Sequence, residues 1–189
     1  MPDTPASLEL DEGLFLRHLT LGDAPIVYAE VSRERDDLRA WLPWVDATQS
    51  VSDTIRFIEN SHEKHVSGEA LVYGVWHDLD FCGVIDLHSI DRQNAAAQIG
   101  YWLAPRARGF GHITLAAAAL LGIAFGILGL ERVEIRCAEG NEASARIPIR
   151  LGFREEGMLR HAQWLGDRFT DLRLFSLLAA DYEGMLKSV

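Results

Sequence analysis

Residues 96–130 read AAQIGYWLAPRARGFGHITLAAAALLGIAFGILGL, and this stretch decides the fold. Ala96–Leu103 is a short apolar run that predicts a strand. Ile113–Leu130 has Thr114 as its only polar residue and predicts a helix buried in a layered domain, with Gly129 as its left-handed stop. Between them stands Arg106-Ala-Arg-Gly-Phe-Gly111. A loop entering a helix offers amides without internal acceptors, at the positive end of the helix dipole. Gly109 and Gly111 allow a phosphate to approach the backbone closely, and Arg106 and Arg108 add charged, bidentate donors. The segment therefore predicts a pyrophosphate cradle. It is not a Walker loop, because no Gly-Lys-Ser/Thr follows, and it lacks the third glycine of a Rossmann fingerprint.

Outward from this unit, strands are predicted at Leu14–Leu19, Leu71–Trp76 and Phe81–His88. The last of these forms an antiparallel pair with Ala96–Leu103 across the polar turn Asp91–Asn94. Further strands fall at Arg132–Ala138, Phe153–Arg160 and Arg168–Leu178. Helices are predicted from Ala24 to Val31, from a cap at Ser52 or Asp53 to His65, and from Glu142 to Leu151. Hairpins mixed with strand–helix–strand crossovers imply an α/β (α+β) fold around one mixed, mostly antiparallel sheet of about seven strands and four helices. Without a repeat or linker, residues 1–189 read as one domain.

The chain carries 28 acidic against 18 basic residues, a formal charge of −10. Such acidity argues against a nucleic-acid backbone as the main ligand and suits a cationic substrate. Cys82 and Cys137 are too few for a disulfide scaffold and match no zinc spacing, so no metal is expected. The acidic start MPDTPASLELDEG shows no secretory signal, which implies a cytoplasmic protein. The run 113–130 is just long enough to raise a membrane span. Its Ala and Gly content, and the strand-like ERVEIRC that follows, favour a buried helix instead.

Arg106-x-x-Gly109-x-Gly111 resembles the R/Q-x-x-G-x-G/A signature of the GNAT superfamily of acyl-CoA-dependent N-acyltransferases. Trp41-Leu-Pro-Trp44, Ile99-Gly-Tyr-Trp-Leu103, Asn141-Glu-Ala-Ser144, and Leu151-Gly-Phe153 followed by Glu156-Gly157 are similar to the Rim-type ribosomal-protein N-terminal acetyltransferases. The resemblance covers essentially the whole chain. It implies acetyl-CoA as co-substrate, lying in a splay between the strand of Trp102 and Leu103 and that of Val133–Ala138. Cofactor contacts are then implied at Trp102, Leu103, Arg106, Arg108, Gly109, Phe110, Gly111, His112, Asn141 and Ser144. Ser144 becomes the donor to the CoA sulfur, against a competing role in helix capping. The implied acceptor is a protein or peptide N-terminus, with a homodimer as the associated assembly.

The general base is the point of departure. Some relatives place Glu where this chain has Gln98 and Gln163, and glutamine takes no proton. The substitutes are His88, His161 and Asp171, with His88 preferred as the catalytic group. A weak base suits an α-amine, with an ordinary pKa of about 7.7–8.0, better than a lysine near about 10.4. Small-amine acetylation and a degenerate acyl-CoA-binding module are the alternatives. Cys137, beside the expected thioester, reads as a small buried residue more readily than as a nucleophile.

Overall fold

The computed structural model describes residues 4–187. The reading of the first residues as a non-signal N-terminus falls partly on positions 1–3, outside the described residues. The described residues build one eight-stranded sheet in the order β1-β2-β3-β4-β5-β6-β8-β7. Its strands are β1 (Ser7–Asp11), β2 (Leu14–Arg17), β3 (Leu71–His77), β4 (Asp80–Asp91), β5 (Ala96–Leu103), β6 (Arg132–Ala138), β7 (Arg154–Leu165) and β8 (Arg168–Leu178). Every pair is antiparallel except β5–β6. The helices are α1 (Ala24–Arg33), α2 (Arg35–Arg39), α3 (Val51–Ser67), α4 (His112–Leu121), α5 (Glu142–Arg150) and α6 (Ala179–Leu186).

Strand alternation divides the core between the two faces. Ile85, Leu87, Ala97 and Ile99 pack under α4, against Ile113, Ala116, Ala117 and Leu120. The opposite side chains, Val72, Trp76 and Val84, meet Ala24, Val27 and Ile58 of α1 and α3. Small alanines on α4 let its backbone lie close to the sheet. The result is three layers, helix–sheet–helix, with both faces of the central strands covered.

The structure corrects the expectations at several points. A strand, β1, precedes the seven predicted; its alternating side chains are half exposed, and it is held by pairing with β2. Two helices are added to the four expected, α2 and α6. The cap of α3 is Ser50, whose hydroxyl accepts from the Asp53 amide at 3.3 Å, rather than Ser52 or Asp53. The apolar run is no single helix. It passes at Gly122 into a π-helical turn ending at Ile127, and Gly129 closes it with φ +63°. No helix among the described residues is long and apolar enough to cross a membrane.

Candidate active site

The β5–β6 pairing is short. It joins only Ala96 to Arg132, Ala97 to Val133 and Gln98 to Glu134, while β5 stays paired to β4 as far as Leu103 and β6 to β8 as far as Ala138. Beyond Gln98 the two strands part. Their facing edges carry backbone groups without a strand partner, and these must find acceptors and donors elsewhere. The gap opens into a cleft of 530 Å³ that extends to the N-terminus of α4 and to α5.

At the α4 end, Gly109 (φ +88°) and Gly111 (φ +84°) are both left-handed, and a Cβ on either would meet no atom within 4 Å. The glycines are thus required by conformation, and the space above them is free. The amides of Gly109, Phe110 and Gly111 donate to no protein acceptor among the described residues. Donors, dipole and room coincide, which fits a pyrophosphate. Arg108 lines the cleft, with Nη1 on Asp37 Oδ1 at 3.1 Å and Nε on the Leu103 carbonyl at 3.1 Å. Arg146 and Arg150, four residues apart on α5, line it too, so a strongly acidic chain presents three arginines, with Glu142, at the mouth of this cleft.

On the far wall, Ser144 Oγ donates to Tyr101 Oη at 3.2 Å, and Tyr101 Oη donates to the Ser144 carbonyl at 3.0 Å. Cys137 Sγ lies 3.2 Å from Ser144 Oγ. Burial pushes the Tyr101 phenol far above its ordinary value and raises the Cys137 thiol as well. Both therefore hold their protons at neutral pH. Cys137 is no ready nucleophile, since the thiolate is the reactive form. The helix cap belongs to Asn141, whose Oδ1 accepts from the Ser144 amide at 3.1 Å. That leaves the Ser144 hydroxyl to the chain of protonated groups facing the cleft.

Eight of the ten residues expected at the cofactor line this cleft: Trp102, Leu103, Arg108, Gly109, Gly111, His112, Asn141 and Ser144. Two do not. Arg106 turns back into the fold, with Nη2 donating to Glu30 Oε2 at 2.9 Å and to the Phe81 carbonyl at 2.7 Å. Glu30 is 3 % exposed, so a buried carboxylate claims that guanidinium. Phe110 points outward, 71 % exposed, with its ring stacked on His112. Sequence reasoning missed Tyr101, Arg146 and Arg150. Tyr101 sits on the α4-facing side of β5 beside Ile99 and Leu103, where an aromatic reads as core. The i, i+4 spacing of the two arginines on α5 was the one available signal.

The remaining candidates, His88, Gln98, Gln163, His161 and Asp171, do not line this cleft. His88 stands on β4 opposite Gln98, its Nδ1 hydrogen-bonded to Asp86 Oδ1. Gln163 lies elsewhere, and its Nε2 donates to the Trp41 carbonyl at 3.0 Å. It ties the β7 segment to the loop between α2 and α3. The same loop is fixed by Arg35, which donates to the carbonyls of Val45 at 2.6 Å and Thr48 at 2.5 Å. Trp44 rests 6.0 Å from Trp102, centroid to centroid. The exposed His161 stacks on Phe169, and its amide donates to Asp171 Oδ1 at 2.7 Å, so this pair shapes the β7 bulge.

A splayed strand pair, a glycine cradle at a helix N-terminus and a protonated hydroxyl between them define a site for acyl transfer from a pantetheine thioester. The acetyltransferase (GNAT) domain family matches residues 13–154, and the chain belongs to that family. It is an acetyltransferase with acetyl-CoA as co-substrate. A relative in Bacillus subtilis, named as a putative ribosomal N-acetyltransferase YdaF, is 34 % identical over 93 % of this chain and 97 % of its own length. The ribosomal-protein-serine acetyltransferase of Escherichia coli is 28 % identical over 90 % and 95 %. Among solved structures, a microcin self-immunity acetyltransferase in complex with acetyl-CoA and AMP is 27 % identical. It superposes with a TM-score of 0.87 over 93 % of this chain and 97 % of that one.

Proposed function

We propose that the chain transfers the acetyl group of acetyl-CoA to the N-terminal α-amine of a protein, a ribosomal protein being the leading acceptor. The observation that carries this reading is the hydroxyl of Ser144, held by protonated neighbours on the wall of the splay, with no carboxylate at Gln98 or Gln163. The relatives named for ribosomal proteins supply the acceptor class. A net charge of −10 favours encounter with a basic partner, and a ribosomal acceptor places the work in the cytoplasm.

Acetyl-CoA supplies an activated acyl carbon and a thiolate leaving group. The amides of residues 109–111 and the cationic mouth bind its phosphates. The open edge of β5 offers main-chain pairing to an extended pantetheine arm. Ser144 holds a proton at Oγ, and Tyr101 and Cys137 keep that hydroxyl oriented. Trp41, Trp44 and the Gln163 tie shape the acceptor's approach. β7 lies at the end of the sheet, with largely exposed side chains, and offers the edge for a homodimer.

The reading is tested by kcat/KM at pH 7 for peptides with a free α-amine and blocked lysines, measured beside polyamines and lysine-only peptides. The α-amine peptides are expected to lead by about two orders of magnitude, following the neutral amine fraction. Preference for a polyamine overturns the acceptor class.

A further inference from the structure

The sheet face opposite α4 holds a pair of groups aimed at the place where the splay begins. Asp86 and His88 alternate with Val84 on β4, whose side chain packs under α1 and α3. The register sets Asp86 against Gly100 and His88 against Gln98. Gln98 is the last β5 residue paired with β6, so Gly100 already belongs to the open edge. A Cβ on Gly100 would lie 3.1 Å from Asp86 Oδ1 and 3.1 Å from His88 Cε1. Both side chains therefore stand directly over the β5 backbone at that point, where a glycine leaves it uncovered.

The chemistry of the pair is directional. A carboxylate only accepts, so the hydrogen bond to Asp86 places the imidazole proton on Nδ1. The lone pair of His88 Nε2 then faces away from Asp86, and it has no protein partner among the described residues. The two side chains are 41 % and 29 % exposed, open enough to be reached by an acceptor. They border a cavity of 390 Å³ between α3 and the strands β3 and β4. The charged groups facing it from the neighbouring elements are Lys64 of α3 and Glu69 before β3, while β5 contributes only Gln98 and Gly100.

We propose that His88 is the proton acceptor for the incoming amine, and that Asp86 is the positioning residue that fixes its tautomer. The inference rests on the α-amine reading above. An ammonium nitrogen loses two protons in the reaction, and His88 Nε2 takes them in turn and releases them to solvent. The nitrogen lone pair forms the C–N bond to the acetyl carbon. The C–S bond breaks with its electron pair on sulfur. Ser144 Oγ gives that sulfur a proton and is reprotonated from solvent, so one proton is released net and no electrons are exchanged.

The test compares His88→Gln, Asp86→Asn and the unmodified protein on a peptide with a free α-amine and blocked lysines, from pH 6 to 9.5, with melting temperature and acetyl-CoA affinity as folding controls. His88→Gln is expected to lower kcat by about 10²–10³-fold at pH 7, with acetyl-CoA affinity unchanged, and the deficit shrinks as the free amine becomes populated at high pH. Asp86→Asn is expected to lower kcat about tenfold with the peptide KM and acetyl-CoA affinity unchanged, since the imidazole loses the carboxylate that fixes its tautomer. Added imidazole is expected to restore part of the activity of His88→Ala. Wild-type kcat and pH profile in His88→Gln overturn the proposal, and so does a loss equal at every pH without imidazole rescue, which marks a structural role. If the unmodified protein prefers lysine or polyamine and His88→Gln still shows the pH-dependent loss, the α-amine reading fails and the proton acceptor stands. Rapid α-amine acetylation by His88→Gln keeps the reading and removes the dyad.

Discussion

Replacing Arg106 by alanine separates a cofactor contact from a brace. The guanidinium serves Glu30 and the Phe81 carbonyl and does not line the cleft. Loss of a charged hydrogen bond to a buried carboxylate costs about 1.5–3 kcal/mol, and the second bond adds about 1 kcal/mol. Leaving a buried charge wholly unpaired would cost about 3–5 kcal/mol, but Arg33 still pairs with Glu30, which keeps the total lower. Arg106 is itself 42 % exposed, which lowers it further. The expected loss is about 2–4 kcal/mol, a fall in Tm of about 5–12 °C for a chain of this length. Acetyl-CoA affinity should change less than about threefold, since the cradle amides remain. Glu30→Gln in the same chain should recover part of the loss, because a neutral amide needs no cation. Scanning calorimetry with isothermal titration decides the matter. A Tm within about 2 °C of the parent, together with a tenfold weaker Kd, would refute the reasoning and return Arg106 to the phosphates.

Three further outcomes follow from the same geometry. Ser144→Ala should cut turnover by about 10²-fold with little change in Tm, whereas Asn141→Ala should cost about 1 kcal/mol of stability through the lost cap; paired melts and rates distinguish them. Gly111→Val forces a β-branched residue to φ +84° at the cradle and should weaken acetyl-CoA binding by more than tenfold, read by calorimetry. His18 and His65 have lowered pKa values, mainly because burial disfavours their charged forms. Below about pH 6.5 the unfolded chain therefore binds protons that the folded chain refuses. Stability is full above that pH and falls as acid is added, and His18→Gln should flatten the slope in denaturant titrations from pH 7 to 5.

Strong local pattern was read well from sequence. β5, β6 and β8 begin and end where alternation and flanking turn residues place them. β1 carries only two apolar side chains, Leu8 and Leu10, and exists through its partner strand, which no local window contains. The break in the apolar run at Gly122 reflects a change of hydrogen-bond register, invisible in composition. The cradle was legible because its chemistry lies in the backbone of one short segment. Arg106 was not, since the 3₁₀ turn Pro105–Ala107 aims it at a carboxylate 76 residues away. Gln163 likewise meets Trp41 only once the sheet is complete. The Asp86–His88 contact follows from i, i+2 spacing on a strand, but its place over Gly100 needs the register.

The direct trial is a single-turnover reaction at pH 7 with labelled acetyl-CoA and one peptide that carries both a free N-terminal amine and an accessible lysine. Fragment-ion mass spectrometry then locates the acetyl group. Label on the α-amine, exceeding the lysine by about 10²-fold, is the predicted result. Label mainly on the lysine contradicts the account.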